Sequence, residues 1–167
     1  AEKNNIEVLK RPKIISNDIA TTESAIEHFI LHYNLDKKTI CILLQPTSPL
    51  RPKNSLDKIL KTFIKNKYDS MLTLSPIHPL TWKMNNQLIP MYDYKNRPRR
   101  QDFQNEDLIY DENGSVYIFT LDSFIKNNNR LGGKIGYYIF DEEYGKQIDT
   151  PLDFKILETI GKFINEE

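Results

Sequence analysis

The stretch Leu43 to Arg51, LLQPTSPLR, limits what this chain can fold into more than any other part of it. It closes a five-residue apolar run, Ile40 to Leu44, the longest in the sequence, whose branched side chains read as a buried strand. Pro46 and Pro49 lack the amide that a sheet ladder needs, so the strand stops at Gln45 and a rigid polar loop begins. In an open α/β sheet ligands sit outside the carboxyl ends of the strands, which makes this loop the first place to seek a small-molecule site. Gln45 can donate and accept at the edge of a base, Thr47 and Ser48 carry hydroxyls, and Arg51 offers a planar cationic fork suited to phosphate or carboxylate. An ordinary exposed strand-to-helix turn would use the same residues, and the loop alone does not separate the two readings.

The flanking segments place this strand in an alternating pattern. Ile6 to Leu9 form an apolar patch that ends at Arg11-Pro12 and reads as a short strand or its tail. Thr21 or Thr22 suits the cap of a helix that carries Ile26, Phe29, Ile30 and Tyr33 at helical spacing. Beyond the loop, Asn54 or Ser55 opens a second helix with Leu56, Ile59, Leu60, Phe63 and Ile64 on one face, and Asp69 to Leu74 is the next strand. Strand, helix, strand predicts a right-handed parallel crossover. Pro76, Pro79 and Pro90, with Trp82 and Asn85-Asn86 between them, change the pattern to a hairpin or arm. Glu112 to Gly114 reads as a turn into the strand SVYIFTL, followed by a short helix over Leu121 to Asn127 and a strand over Lys134 to Phe140. In the last helix Thr150 suits the cap, Pro151 the first position and Asp153 the third, with Phe154, Leu157, Ile160 and Ile164 as its packed face.

Three polar groups are candidates for chemistry: the QPTS loop, the segment NRPRRQD with Arg97, Arg99 and Arg100, and Asp149 before the last helix. Arginines that bind anionic oxygens and a strand-end carboxylate that holds a divalent metal, usually Mg²⁺, suit phosphate chemistry. A solvated basic loop and a carboxylate beside a helix N-terminus explain the same residues without a ligand. The signatures G-x-S-x-G, C-x-x-C and H-E-x-x-H are absent. A chain of 167 residues suits one domain, residues 1–167, and its 23 basic residues balance 23 acidic ones, which gives no basic footprint for nucleic acid. Cys41 is the single cysteine, so no disulfide forms within the chain, and no apolar run is long enough for a membrane helix. With a start, AEKNN, that is no signal peptide, the expectation is a cytoplasmic protein.

Taken together, LLQPTSPLR, RRQDF, ENGSVYIF and GKIGYYIFDEEYGKQIDTPLDF, with RPKIISNDIATT ahead of them, resemble the acylneuraminate cytidylyltransferases, the CMP-sialic acid synthetases and their relatives acting on legionaminic or pseudaminic acid. The blocks follow the family's order across nearly the whole chain. The resemblance implies a Rossmann-like three-layer nucleotidyltransferase sandwich working as a homodimer, with residues 76–118 as an arm or dimerisation insertion. It implies that CTP and a nine-carbon 2-keto sugar acid, with Mg²⁺ on the phosphates, yield a CMP-sugar and pyrophosphate. Carried over by position, Arg11, Thr22, Gln45, Thr47 and Ser48 would lie around the nucleotide. Arg100 and Gln101 would lie near the sugar or across the dimer, with Arg100 and Asp149 catalytic, Tyr117 near the sugar and Asp149 the metal ligand. The related activation of 3-deoxy-manno-octulosonate is the neighbouring possibility within the same chemistry.

Two departures qualify this expectation. Family members begin with a strand and a glycine- and Arg/Lys-containing loop that cradles the triphosphate, whereas no glycine occurs here before Gly114. The fold implied is therefore incomplete at its N-terminus, and a ligand-binding or dimerisation module without turnover is the alternative to an enzyme. Sialic-acid-activating members also commonly carry an acidic residue two positions before the match to Asp149, where Gln147 stands here.

Overall fold

Alternation along a single strand accounts for the layering of the molecule. The computed structural model describes residues 4–77, 79–103 and 108–166, with the backbone alone at Arg100, Asn165 and Glu166. Its central strand is β5 (Ile109–Thr120), flanked on one side by β1 (Ile40–Leu44) and on the other by β2 (Ser70–Ile77), beyond which lies β6 (Ile135–Ile139). Val116 and Ile118 point to one face of this sheet, where Ile59 and Phe63 of α2 (Ser55–Asn66) pack with Met71 and Phe140. Phe119 points to the other, where it meets Ile26 of α1 (Thr22–Tyr33) and Leu121 and Phe124 of α3 (Leu121–Asn127). Side chains of successive strand residues emerge on opposite faces, so β5 builds both cores at once.

The strand-helix-strand unit differs from a simple parallel crossover. Strands β1 and β2 run in the same direction, but each pairs antiparallel with β5, which lies between them. Within this sheet the parallel pair is β2 with β6, in register from Ser70 opposite Ile135 to Leu74 opposite Ile139. The fold is thus a mixed α/β sheet with helices on both faces. Sequence spacing could not reveal the intervening strand, because β5 is supplied from far along the chain.

The local signals are mostly honoured. Thr21 caps α1 by accepting from the Ser24 amide at 3.2 Å, and Thr120 caps α3 in the same way through Ser123. At α4 (Pro151–Glu166) the Thr150 amide donates to Asp153 at 2.7 Å while the Asp153 amide donates to Thr150 Oγ1 at 3.3 Å, a reciprocal capping box. The hairpin is present as β3 (Trp82–Asn85) and β4 (Gln87–Pro90), with Asn86 at φ 56° in the turn. On α4, Leu157 is buried as expected, while Phe154 remains exposed.

Two expectations are corrected. Ile6 to Leu9 form no strand, and Ile6 and Val8 stay exposed, no strand among the described residues pairing with them. Glu112 to Gly114 do not form a turn that starts a strand; they lie inside β5, as part of a large bulge. Leu72 faces Tyr117 and Leu74 faces Glu112, so a step of two residues on β2 matches a step of five on β5. Gly114, at φ +64°, supplies the left-handed conformation that this excursion requires.

Candidate functional site

The bulge is where the polar segments meet. A Cβ placed on Gly114 would lie 2.5 Å from Gln45 Oε1 and 2.9 Å from Gln147 Oε1, so the absence of a side chain lets two carboxamides converge on one backbone position. Gln147 Nε2 donates to the Glu112 carbonyl at 3.3 Å, and the Ile148 amide donates to the Thr47 carbonyl at 2.8 Å. The loop after β1 and the segment leading to Asp149, a hundred residues apart in sequence, are stitched directly together. Farther along the chain, Gly161 lets α4 approach Leu50 of the same loop.

Underneath lies a buried, uncharged network. The Asn113 side chain accepts from Thr73 Oγ1 at 2.6 Å and from the Ser115 amide at 3.1 Å, and donates to Ser75 Oγ at 3.0 Å. Ser48 is fully buried and donates to the Asn113 carbonyl at 2.9 Å. Its hydroxyl therefore acts inside the fold, anchoring the loop to the bulge. Arg51 is used in the same way: Nη2 donates to the carbonyls of Ser115 at 3.0 Å and Gln45 at 3.2 Å, and Nε reaches Ser115 at 3.3 Å. The planar fork that suggested an anion ligand holds two backbone oxygens instead, and burial holds its pKa below the usual arginine value. Thr47 remains exposed, whereas Gln45 is half-buried with its carboxamide against Gly114.

Beside the loop opens a cleft of about 420 Å³, lined by Ser75, Pro76, Asp111, Lys146, Gln147 and Asp149 among others. Asp111, Glu142 and Asp149 bring three carboxylates to the lining of one cleft, spread around it beside Lys146. No cluster of three or more metal-ligating side chains occurs among the described residues. Mg²⁺ in phosphate sites is commonly held by one or two carboxylates plus the phosphates themselves, so one or two of these hard oxygen donors fit such an ion.

Tyr117 is buried on the opposite face of the sheet from the Asn113 network. Its hydroxyl donates to Glu112 Oε1, and its ring lies 4.5 Å below the Arg130 guanidinium. Burial first, and the bond to Glu112 second, push the phenol up to about 12. Arg130 in turn pairs with Glu23 at 2.5 Å and faces Glu112 at 3.7 Å.

The remaining expected residues lie elsewhere. Arg11 is exposed in the N-terminal segment, and Thr22 begins α1, where it lines an apolar groove with Ala25, Phe29 and the edge of β1. Gln101 is exposed in a single 3₁₀ turn, Arg100–Asp102, which Arg99 closes by pairing with Asp102 at 2.8 Å. The Arg100 side chain lies outside the described residues. The structure thus unites Gln45, Thr47, Ser48, Asp149 and, through Glu112, Tyr117. Sequence reasoning missed Asn113, Glu112 and Arg130; the ENG triplet was a signal, but it read as a turn rather than as the hub of a bulge.

No family model matches the chain. Among curated proteins it is 32% identical over 158 residues to N-acylneuraminate cytidylyltransferase A of Danio rerio, covering 90% of this chain and 35% of that one. It is 31% identical over 123 residues to post-translational flagellin modification protein B of Campylobacter coli, covering 71% of this chain and 51% of the other. Over a shorter stretch of 49 residues it is 43% identical to CMP-N,N'-diacetyllegionaminic acid synthase of Campylobacter jejuni, 29% of this chain and 21% of that protein. The chain therefore spans from about a third to a half of the two relatives that it matches at length.

Proposed function

The chain belongs to the acylneuraminate cytidylyltransferase family, and from that premise we propose that the protein transfers CMP from CTP to a nine-carbon 2-keto sugar acid of the sialic, legionaminic or pseudaminic type. The observation that carries this reading is the junction at Gly114, where the loop of Gln45 and Thr47 meets the segment of Gln147 and Asp149. Displacement at phosphorus asks a protein for positioning and charge neutralisation more than for a covalent group, and this junction fixes both polar segments on one rigid strand.

In this reading Gln45 engages the base edge and Thr47 the nucleotide, while Ser48 and Arg51 act from within by holding the loop. The sugar's anomeric oxygen forms a bond to the α-phosphorus as the bond to pyrophosphate breaks, and the hydroxyl proton leaves to solvent. Asp149, with Asp111 beside it, would hold Mg²⁺, which when bound supplies neutralisation of phosphate charge. Arg11 and Thr22 would complete the nucleotide side. Arg100, Gln101 and Tyr117 would serve the sugar side, and the β3–β4 hairpin, with its exposed Trp82, Met84 and Leu88, would be the arm of a cytoplasmic homodimer.

A second reading, a binding or pairing module without turnover, is favoured by β1, which among the described residues pairs on one side only and exposes Ile40, Ile42 and Leu44. Incubation of the protein with CTP, Mg²⁺ and a panel of sialic, legionaminic, pseudaminic and 3-deoxy-manno-octulosonic acids, with pyrophosphate measured, separates them. Release with a nine-carbon acid supports transfer, and no release with any of the four sinks it.

A further inference from the structure

On the sheet face that carries Tyr117, the helical layer ends abruptly. Glu112 lies opposite Leu74, which pairs in turn with Ile139 of β6. Ile139 and Tyr137 on β6 are uncovered, Tyr137 by 60% of its surface. Glu112 thus stands at the border between a covered and an open half of the sheet, with its side chain 43% exposed. Both of its side-chain contacts, the Tyr117 hydroxyl and Arg130 Nη2, use Oε1. Among the described residues Oε2 has no hydrogen-bond partner.

We propose that Glu112 Oε2 is a recognition acceptor for an uncharged hydroxyl or amide N–H of the sugar acid, and that Tyr117 and Arg130 are the residues that position it. The proposal rests on the transferase reading above. Charge decides the ligand class. One arginine faces two carboxylates, Glu23 and Glu112, and Tyr117 stays neutral, so the cluster carries a net charge of minus one. Such a cluster repels a carboxylate or phosphate and favours a neutral donor, of which an acylamino sugar offers several. Arg130 is excluded as an anion ligand because its charge is already matched. Its pair with Glu23 of α1 and its guanidinium stacked on the phenol ring mark it as a clamp between α1 and β5, and among the described residues its buried Nε has no partner. The open apolar surface of Tyr137 and Ile139, across Leu74 from Glu112, suits the methyl and ring C–H groups of the same ligand.

The test measures sugar and nucleotide separately on the protein and on Glu112→Gln, which keeps the shape but removes the charge. Saturation-transfer NMR with N-acetylneuraminic acid and N,N'-diacetyllegionaminic acid reads sugar binding, titration with CTP reads the nucleotide, and KM for each is taken wherever pyrophosphate release occurs. Loss of a charge-assisted hydrogen bond should weaken the sugar about tenfold and leave CTP unchanged. Arg130→Lys and Tyr117→Phe should raise the sugar KM less, with kcat retained. Sugar affinity unchanged in Glu112→Gln, or sugar and CTP affinity falling together, overturns the proposal. If the unsubstituted protein releases no pyrophosphate, the transferase reading falls, and the NMR comparison still decides Glu112; no sugar signal from the unsubstituted protein overturns the role as well.

Discussion

The two polar clusters that flank the β5 bulge are built on opposite principles. On one face, Asn113, Thr73, Ser75 and Ser48 are uncharged and buried, and the Asn113 side chain bonds to three of its neighbours. On the other, Glu112, Arg130 and Glu23 are charged and stand partly open around the buried, neutral Tyr117, and they leave a carboxylate oxygen spare. A buried neutral network with its hydrogen bonds made fixes one geometry, because any rearrangement strands a donor or acceptor away from water. A part-exposed charged cluster can exchange a protein contact for a ligand contact at little cost, since water competes at its rim. Here the first is a frame and the second a contact surface.

Substitutions can break that division. Replacing Asn113 by Leu should have the largest effect, destabilising the fold by about 3 kcal/mol, because the Ser115 amide and Ser75 hydroxyl lose their partner inside the protein. Urea denaturation checks this, and a loss below 0.5 kcal/mol would remove the frame interpretation. Arg51→Met should follow with about 2 kcal/mol, since two carbonyls lose a charged donor while the apolar stem is kept. The same measurement, joined to CTP titration, should show weakened nucleotide binding, because the side chain holds the loop through the Gln45 and Ser115 carbonyls.

Gly114→Ala sharpens the comparison from the backbone side. The positive φ alone should cost about 1 kcal/mol, and the added methyl, 2.5 Å from Gln45 Oε1, must displace that carboxamide. CTP affinity should therefore fall more than stability does. The smallest effect belongs to the charged cluster. The Tyr117 phenol is raised from 10.0 to about 12, so its contribution is whole below pH 10 and is lost as pH rises through about 12. Tyr117→Phe should lack that part of the alkaline decline, so the stability difference between the two proteins should narrow as pH rises from 10 to about 12. Parallel stability curves for the two proteins up to pH 12 would refute the assignment.

Much of the fold could be read locally, because caps and apolar periods are written in adjacent residues. Thr150, Pro151 and Asp153 foretold the start of α4, and Asn85-Asn86 the hairpin. The site was legible only in its endpoints. Gln45, Thr47 and Asp149 stand out in the sequence, but Gly114, where Gln45 and Gln147 converge, belongs to a bulge defined by pairing with β2, and pairing register has no local signature. Arg51 shows the opposite limit. Its chemistry suits an anion or a carbonyl equally, and only the position of Ser115 decides which.

The placement of β5 between β1 and β2 also sets an order of events in time. The bonds that fix the loop join residues 64 and 65 positions apart, from Arg51 to Ser115 and from Ser48 to Asn113. During synthesis β1, α2 and β2 leave the ribosome before β5 exists, and they share no direct strand pairing that could hold them together meanwhile. The nascent chain must keep two apolar strands apart, or release them, until their common neighbour arrives. Refolding should accordingly be limited by this long-range insertion, and the loop should acquire its final shape in that same slow step.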